Sequence, residues 1–475
     1  VIFTSFEFVF FFALVLGIRG CLRSFSLEKW FLLIASYIFY MSWSVPCGFL
    51  ILATSLTDYL VGVGLGRIED ERKRKWLLVV SIVANLGVLG FFKYSNFFLV
   101  NVSAGLNIFG FHVSQRHLDI ILPAGISFFT FQSMTYTIET YRRNIKPCHS
   151  LRDFLLFVAF FPQLLAGPIN RAATLLPQFA QRVRATLSQF ESGLAQFAMG
   201  AVKKIVISDQ ISPHVDMIFS APRNYDALTL LEGALGYAIQ IYCDFSGYSD
   251  MAIGCARMMG FHFMENFQMP YSSLNITEFW RRWHISLSSW FRDYLYIPLG
   301  GNRKGVGRTY VNLLATMLLC GLWHGASWTF IFWGGFHGSA LAIHRAWKNW
   351  NPLEGTLNKY LLFQITWNIF ARLLTLGVVL TGWIFFREQS WSAACQYLGR
   401  IVTWNHDGTR FFSPYIMAAL GAVFLVHLVV PKDSNWFEDI VKRPVFVRAF
   451  GYGALLWLIV SFGATDATPF IYFQF

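Results

Sequence analysis

Val311-Asn-Leu-Leu-Ala-Thr-Met-Leu-Leu-Cys-Gly-Leu-Trp-His-Gly-Ala-Ser-Trp328 decides the class of fold. The apolar run goes on to residue 347, and from 311 to 344 it holds no Asp, Glu, Lys or Arg. A membrane helix needs about 20 apolar residues, so this run can supply a pair of them. Similar runs lie near 2–18, 30–43, 47–65, 76–98, 119–137, 152–172, 192–208, 228–258, 360–386, 413–431 and 447–464. A chain in hydrocarbon has to satisfy its backbone internally, which points to helices. The expectation is an all-α polytopic membrane protein with about eleven to thirteen membrane helices, some of them re-entrant.

Composition agrees. The 475 residues are 55% hydrophobic, 18% aromatic and only 13% charged. A soluble domain carries roughly 25% charge. The net charge of +12 sits mainly in short basic clusters between apolar runs. No run has a basic stripe with interleaved aromatics, so a nucleic-acid partner is not expected. The seven cysteines, at 21, 47, 148, 243, 255, 320 and 395, form no CxxC pair. A disulfide framework or structural zinc is therefore not expected, and no metal site is assigned. The first residues lack a basic n-region and a small-residue cleavage site, and read as a first span.

The basic clusters orient the chain. Arg19, Arg23 and Lys29 follow the first span, and Arg67-Ile-Glu-Asp-Glu-Arg-Lys-Arg-Lys75 follows a later one. Arg303, Lys304 and Arg308 lie in a glycine-rich loop, and Lys442, Arg443 and Arg448 precede the last span. All four belong on the cytoplasmic side by the positive-inside rule. The tail from Ala464 to Phe475 then falls on the opposite face. No internal repeat or long linker divides residues 1–475, which read as a single membrane domain ending in that tail.

Residues 240–337 differ from ordinary lipid-facing sequence. They mix Asp244, Asp250, Glu265, Asn266, Glu278, Arg281, Arg282, His284, Arg292, Asp293, His324 and His337 with aromatics. Such groups are costly in a bilayer and persist where they line a cavity or do chemistry. In Phe279-Trp-Arg-Arg-Trp-His-Ile-Ser-Leu-Ser-Ser-Trp290, Trp280, Trp283 and Leu287 share one helical face, with His284 beside Trp280. That pattern fits a helix lying near the interface, or simply an interfacial anchor.

His324 stands between Gly321, Trp323, Gly325 and Trp328. It reads either as a hydrogen-bonded structural histidine or as a base that takes a hydroxyl proton during acyl transfer. His337, in Trp333-Gly-Gly-Phe-His-Gly338, leans to the structural reading. No Gly-x-Ser-x-Gly elbow, HExxH motif or complete Walker A is present. The loop Gly300-Gly-Asn-Arg-Lys-Gly-Val-Gly-Arg308 could hold phosphates through Arg303, Lys304 and Arg308, or be a solvated basic loop.

These residues resemble a known family. The match runs through Tyr242-Cys-Asp-Phe-Ser-Gly-Tyr-Ser-Asp-Met-Ala-Ile-Gly254, Glu265-Asn-Phe-Gln-Met-Pro-Tyr271 and Phe279-Trp-Arg-Arg-Trp-His284. It continues in Asp293-Tyr-Leu-Tyr-Ile-Pro-Leu-Gly-Gly-Asn-Arg303 and Gly321-Leu-Trp-His-Gly-Ala326. Upstream, Leu122-Pro-Ala-Gly-Ile-Ser-Phe-Phe-Thr-Phe131 and Phe161-Pro-Gln-Leu-Leu-Ala-Gly-Pro-Ile169 join it. Together they resemble the membrane-bound O-acyltransferase (MBOAT) family. The nearest branch is the membrane subunit of bacterial alginate O-acetylation, with a further likeness to its peptidoglycan counterpart.

The resemblance implies a ring of membrane helices around a central funnel, with His324 as the buried catalytic histidine and His284 as the second. It implies acetyl-CoA as a cytoplasmic donor substrate and no bound cofactor. It also implies O-acetylation of an extracytoplasmic glycan from the inner membrane, with a periplasmic SGNH-type esterase-like partner. The ending Thr468-Pro-Phe-Ile-Tyr-Phe-Gln-Phe475 resembles the Phe-x-Tyr-x-x-Phe ending of a partner peptide in teichoic acid D-alanylation. There the tyrosine is proposed to carry the acyl group, which makes Tyr472 a candidate carrier. The rival reading is a transporter or flippase of an acyl donor or lipid-linked sugar, without acyl transfer.

Overall fold

The computed structural model describes residues 2–114, 117–165, 167–350, 360–430, 436–463 and 470–471. Among them the chain is helical, and its β pairing is one isolated bridge between Tyr225 and Thr409. Each apolar run of the sequence became one or more helices. Several begin at the small polar residue that precedes the run. Ser5 accepts a hydrogen bond from the Phe8 amide, Ser24 from Leu27 and Asp70 from Lys73. These side chains satisfy amides that a helix start leaves without an internal partner.

Four described helices are long and apolar enough to cross a membrane unaided: Val45–Arg67, Glu71–Ile108, Leu361–Arg387 and Val445–Phe462. Val445–Phe462 has no buried residue, as expected of a helix surrounded by lipid. Many of the others carry buried polar groups, because a helix enclosed by protein need not be apolar throughout.

One run divides as its length implies, and one segment divides against its periodicity. The run 311–347 forms two helices, Val306–His324 and Trp328–Trp350. The segment 279–290 is expected to be one helix, but it breaks into Ile276–Arg282 and Ile285–Phe291 at His284.

The chain groups into two compact units built from interleaved segments. The first comprises Val1–Met199, Tyr248–Met264 and Phe437–Gly453. The second comprises Gly200–Gly247, Glu265–Trp436 and Ala454–Phe475.

Two networks in the first unit enclose buried charges. Asp58 is fully buried and accepts hydrogen bonds from Ser81 at 2.5 Å, Asn85 at 2.8 Å and Ser133. That network ties together helices Val45–Arg67, Glu71–Ile108 and Ile126–Tyr141. Glu28 meets Arg19 at 2.6 Å, Arg182 at 3.0 Å and Arg184 at 3.2 Å. Arg19 and Lys29, expected in a basic loop, are thus buried in ion pairs, Lys29 with Asp153 at 2.7 Å.

Candidate active site

His324 is the last residue of helix Val306–His324, and Gly325-Ala-Ser turns the chain into Trp328–Trp350. The two helices pack closely because glycines face carbonyls. A methyl group at Gly321 would overlap the Phe330 carbonyl, and one at Gly334 would overlap that of Met317. This approach brings Trp333 against the histidine. The His324 ring is buried edge-to-face against Trp323 and Trp333, each at 5.0 Å, and Phe386 at 5.2 Å.

His284 occupies the junction between Ile276–Arg282 and Ile285–Phe291 with φ 45° and ψ 55°. A side chain in this left-handed region costs about 1–2 kcal/mol. The surroundings hold it there. The Asn266 carbonyl accepts from the Ile285 amide at 2.9 Å, and Asn266 Oδ1 accepts from the Ser286 amide at 3.2 Å and hydroxyl at 2.9 Å. The Gln268 amide donates to the Arg282 carbonyl at 3.0 Å. A strained position fixed from several sides is a common mark of a functional residue. The ring is buried and lies 4.6 Å from Phe245 and 6.1 Å from Trp323.

Trp323 therefore contacts both histidines that the sequence singles out. Trp333 in turn contacts His324 and, at 4.9 Å, His337. His337 also packs on Trp280 at 5.1 Å, and a methyl group at Gly382 would clash with its ring. His337 is thus enclosed by aromatic rings, as His324 is.

Arg303, Lys304 and Arg308 are exposed, at the far end of the His324 helix. Sixteen residues separate Arg308 from His324, which at 1.5 Å per residue is about 24 Å of helix. The loop does not meet the histidines. It is held by Asn312, whose Nδ2 donates to the Gly301 carbonyl at 3.1 Å. Arg345 reaches Asn302 Oδ1 at 3.2 Å.

Tyr472 lies outside the described residues. The two residues before it are buried, Phe470 fully and Ile471 nearly so. The Phe470 ring is 5.6 Å from Phe245, the ring that also packs on His284. The Ile471 amide donates to Asp244 Oδ2 at 2.8 Å. Asp244 Oδ1 is 2.6 Å from Lys204 Nζ, which also meets Asp209 at 2.8 Å.

Sequence reading missed Lys204, although a lysine in Ala201-Val-Lys-Lys-Ile-Val-Ile207 is costly enough to stand out. His149 and Asp153 have the His-x-x-x-Asp spacing of soluble acyltransferases. Here Asp153 is committed to Lys29 at 2.7 Å and Arg152 at 3.1 Å, a structural role.

This arrangement can support acyl transfer: a buried histidine in an aromatic cage, a second beside the shared indole, and Phe470 packed on a ring that also touches the second histidine. Comparison with known proteins points the same way. The chain is 39% identical to a probable alginate O-acetylase of Pseudomonas putida, covering 94% of both chains. It is 35% identical to the peptidoglycan O-acetyltransferase of Helicobacter pylori, over 91% of this chain and 82% of that one. A teichoic acid D-alanyltransferase of Bacillus subtilis is 30% identical over 47% of this chain and 58% of its own. Residues 77–382 match the model of the membrane-bound O-acyltransferase family, and the chain belongs to that family as a membrane acyltransferase.

Proposed function

We propose that the protein moves acetyl groups from acetyl-CoA across the inner membrane for O-acetylation of an extracytoplasmic glycan such as alginate or peptidoglycan. The observation that carries this reading is the convergence at Trp323 and Phe245. Trp323 touches His324 and His284, while Phe245 touches His284 and Phe470 of the tail. A carrier step draws all of these residues into one reaction.

In that step the Tyr472 phenol oxygen attacks the thioester carbonyl. His324 takes the phenolic proton, with His284 assisting from the other side of Trp323. The C–S bond breaks, and the proton passes to the departing sulfur. The products are a tyrosyl acetate and the free thiol of CoA. A phenol, with an unperturbed pKa near 10, needs such a base to attack at neutral pH. A hydroxyl of a periplasmic SGNH-type partner, or of the glycan, then attacks the tyrosyl ester. Its proton returns to the phenol oxygen, and the acetyl group moves on. The exposed charges of Arg303, Lys304 and Arg308 suit the phosphates of CoA at the cytoplasmic side.

Labelled acetyl-CoA supplied to the purified protein tests the reading. The wild type should acquire label that maps to Tyr472, and Tyr472→Phe should acquire none. His324→Ala should lower transfer by roughly 10²–10⁴, the range of general-base catalysis. Normal glycan acetylation in cells carrying His324→Ala would end the catalytic assignment. Undiminished labelling in Tyr472→Phe would end the carrier step.

A further inference from the structure

Buried Lys204 and Asp244, with partly buried Asp209, form a cluster to which neither the sequence reading nor the proposed reaction gives a role. Lys204 lies in a π-helical segment, Val202–Ser208. In an α-helix, residues five apart do not face each other. The wider π turn, with its i→i+5 bonding, brings Lys204 and Asp209 onto one side, at 2.8 Å. π segments recur at functional sites.

Asp244 comes from helix Ala227–Met258. A methyl group at Gly247, one turn further along, would crowd the Gly200 carbonyl and the Lys204 amide. Glycine there lets the two backbones approach until Asp244 Oδ1 reaches Lys204 at 2.6 Å. Both side chains are almost fully buried.

A closed ion pair would use both carboxylate oxygens on groups of the same core. Here the second oxygen, Oδ2, accepts the Ile471 amide at 2.8 Å. The terminal segment is thus held by a backbone hydrogen bond to a buried carboxylate that a lysine fixes in place. Beside it, Phe470 packs on Phe245, the next residue of the same helix, and Phe245 packs on His284.

We propose that Asp244, held by Lys204, is a positioning residue that anchors the C-terminal segment at Ile471, beside the Phe245 ring that packs on His284. The inference rests on the carrier reading for its purpose, but not for its geometry. Recognition through the backbone amide fixes the register of the tail whatever side chain stands at 471. A charge-assisted hydrogen bond is also stronger than a neutral one.

The test uses the full-length protein in lipid nanodiscs and two readouts, acetyl transfer and amide exchange of the C-terminal peptide. Ile471→Pro removes the donor, since proline has no N–H. Ile471→Ala keeps the donor and loses the side chain. Ile471→Pro should lower the turnover number for transfer by roughly tenfold to a hundredfold, the span of a hydrogen bond to a charged group. Its KM for acetyl-CoA should stay unchanged, and Ile471→Ala should retain most activity.

Asp244→Ala should speed exchange of the tail peptide by a similar factor while the rest of the protein exchanges as before. Asp244→Asn, which keeps a neutral acceptor, should restore part of both readouts. Equal losses in Ile471→Pro and Ile471→Ala would overturn the anchor, as would wild-type tail exchange in Asp244→Ala. Wild-type transfer in Tyr472→Phe would instead remove the carrier step, leaving the exchange measurement to decide the anchor alone.

Discussion

Glu28 in the first unit and Asp244 in the second are both buried carboxylates, yet they are used differently. Glu28 spends its two oxygens on three arginines of its own unit. Asp244 gives one oxygen to Lys204 and the other to the end of the chain. Partners offset the burial of both carboxylates, but only the first arrangement is closed by side chains alone. A closed network stabilises a scaffold. An open one can receive a segment and hold it beside a reaction centre.

Mutation can break this contrast, and the largest effect should come from the closed network. Glu28→Gln leaves a buried Arg19 facing two more arginines without their carboxylate. Removing one partner of a buried pair typically costs about 3–5 kcal/mol. The expected outcome is a sharp drop in folded protein, read as thermal stability in detergent, with normal acetyl transfer per folded molecule. Asp244→Asn should cost much less stability, because Lys204 keeps Asp209 at 2.8 Å. If the two variants melt alike, the distinction between scaffold and receptor fails.

The junction at His284 sharpens the second unit's side of the contrast. His284→Gly and His284→Ala both remove the imidazole and should both lose acetyl transfer. Glycine adopts a positive φ without penalty, so the glycine variant should be more stable by about 1 kcal/mol. Calorimetry on the pair reads that difference. Equal stability would mean that the left-handed backbone is not under strain.

The smallest effect belongs to the basic loop. Neutralising Arg303, Lys304 and Arg308 together should raise the KM for acetyl-CoA by roughly severalfold at low ionic strength. The defect should shrink as salt screens the wild type. A change in turnover at saturating donor would place the loop in the chemistry instead.

Much of this was legible in the residues. Each apolar run marked a helix, and the glycines and tryptophans flanking His324 marked a close helix pair with an aromatic cage around that histidine. The break at His284 was not legible, because Trp280, Trp283 and Leu287 satisfy helical periodicity across it. What ends the helix is Asn266, twenty residues before Ser286 and supplied by a separate loop. Lys204 is conspicuous in its apolar run, but its pairing was hidden for a similar reason. Its partner Asp244 is 40 positions away in sequence, and neither residue announces the other. Local pattern reveals helices and isolated oddities. It does not reveal which distant group makes an oddity affordable.

Helix Val306–His324 carries exposed phosphate-binding candidates at one end and the candidate base at the other. On the proposed donor binding it would act as a ruler. A donor gripped at both ends has to be as long as the helix between them, about 24 Å from Arg308 to His324. Insertion of one helical turn would offset the two ends by about 5.4 Å. Selection among acyl donors would then depend on the length of the carrier arm as well as on the identity of the acyl group. A short thioester without a nucleotide could occupy the histidine end but would forfeit the grip at the other.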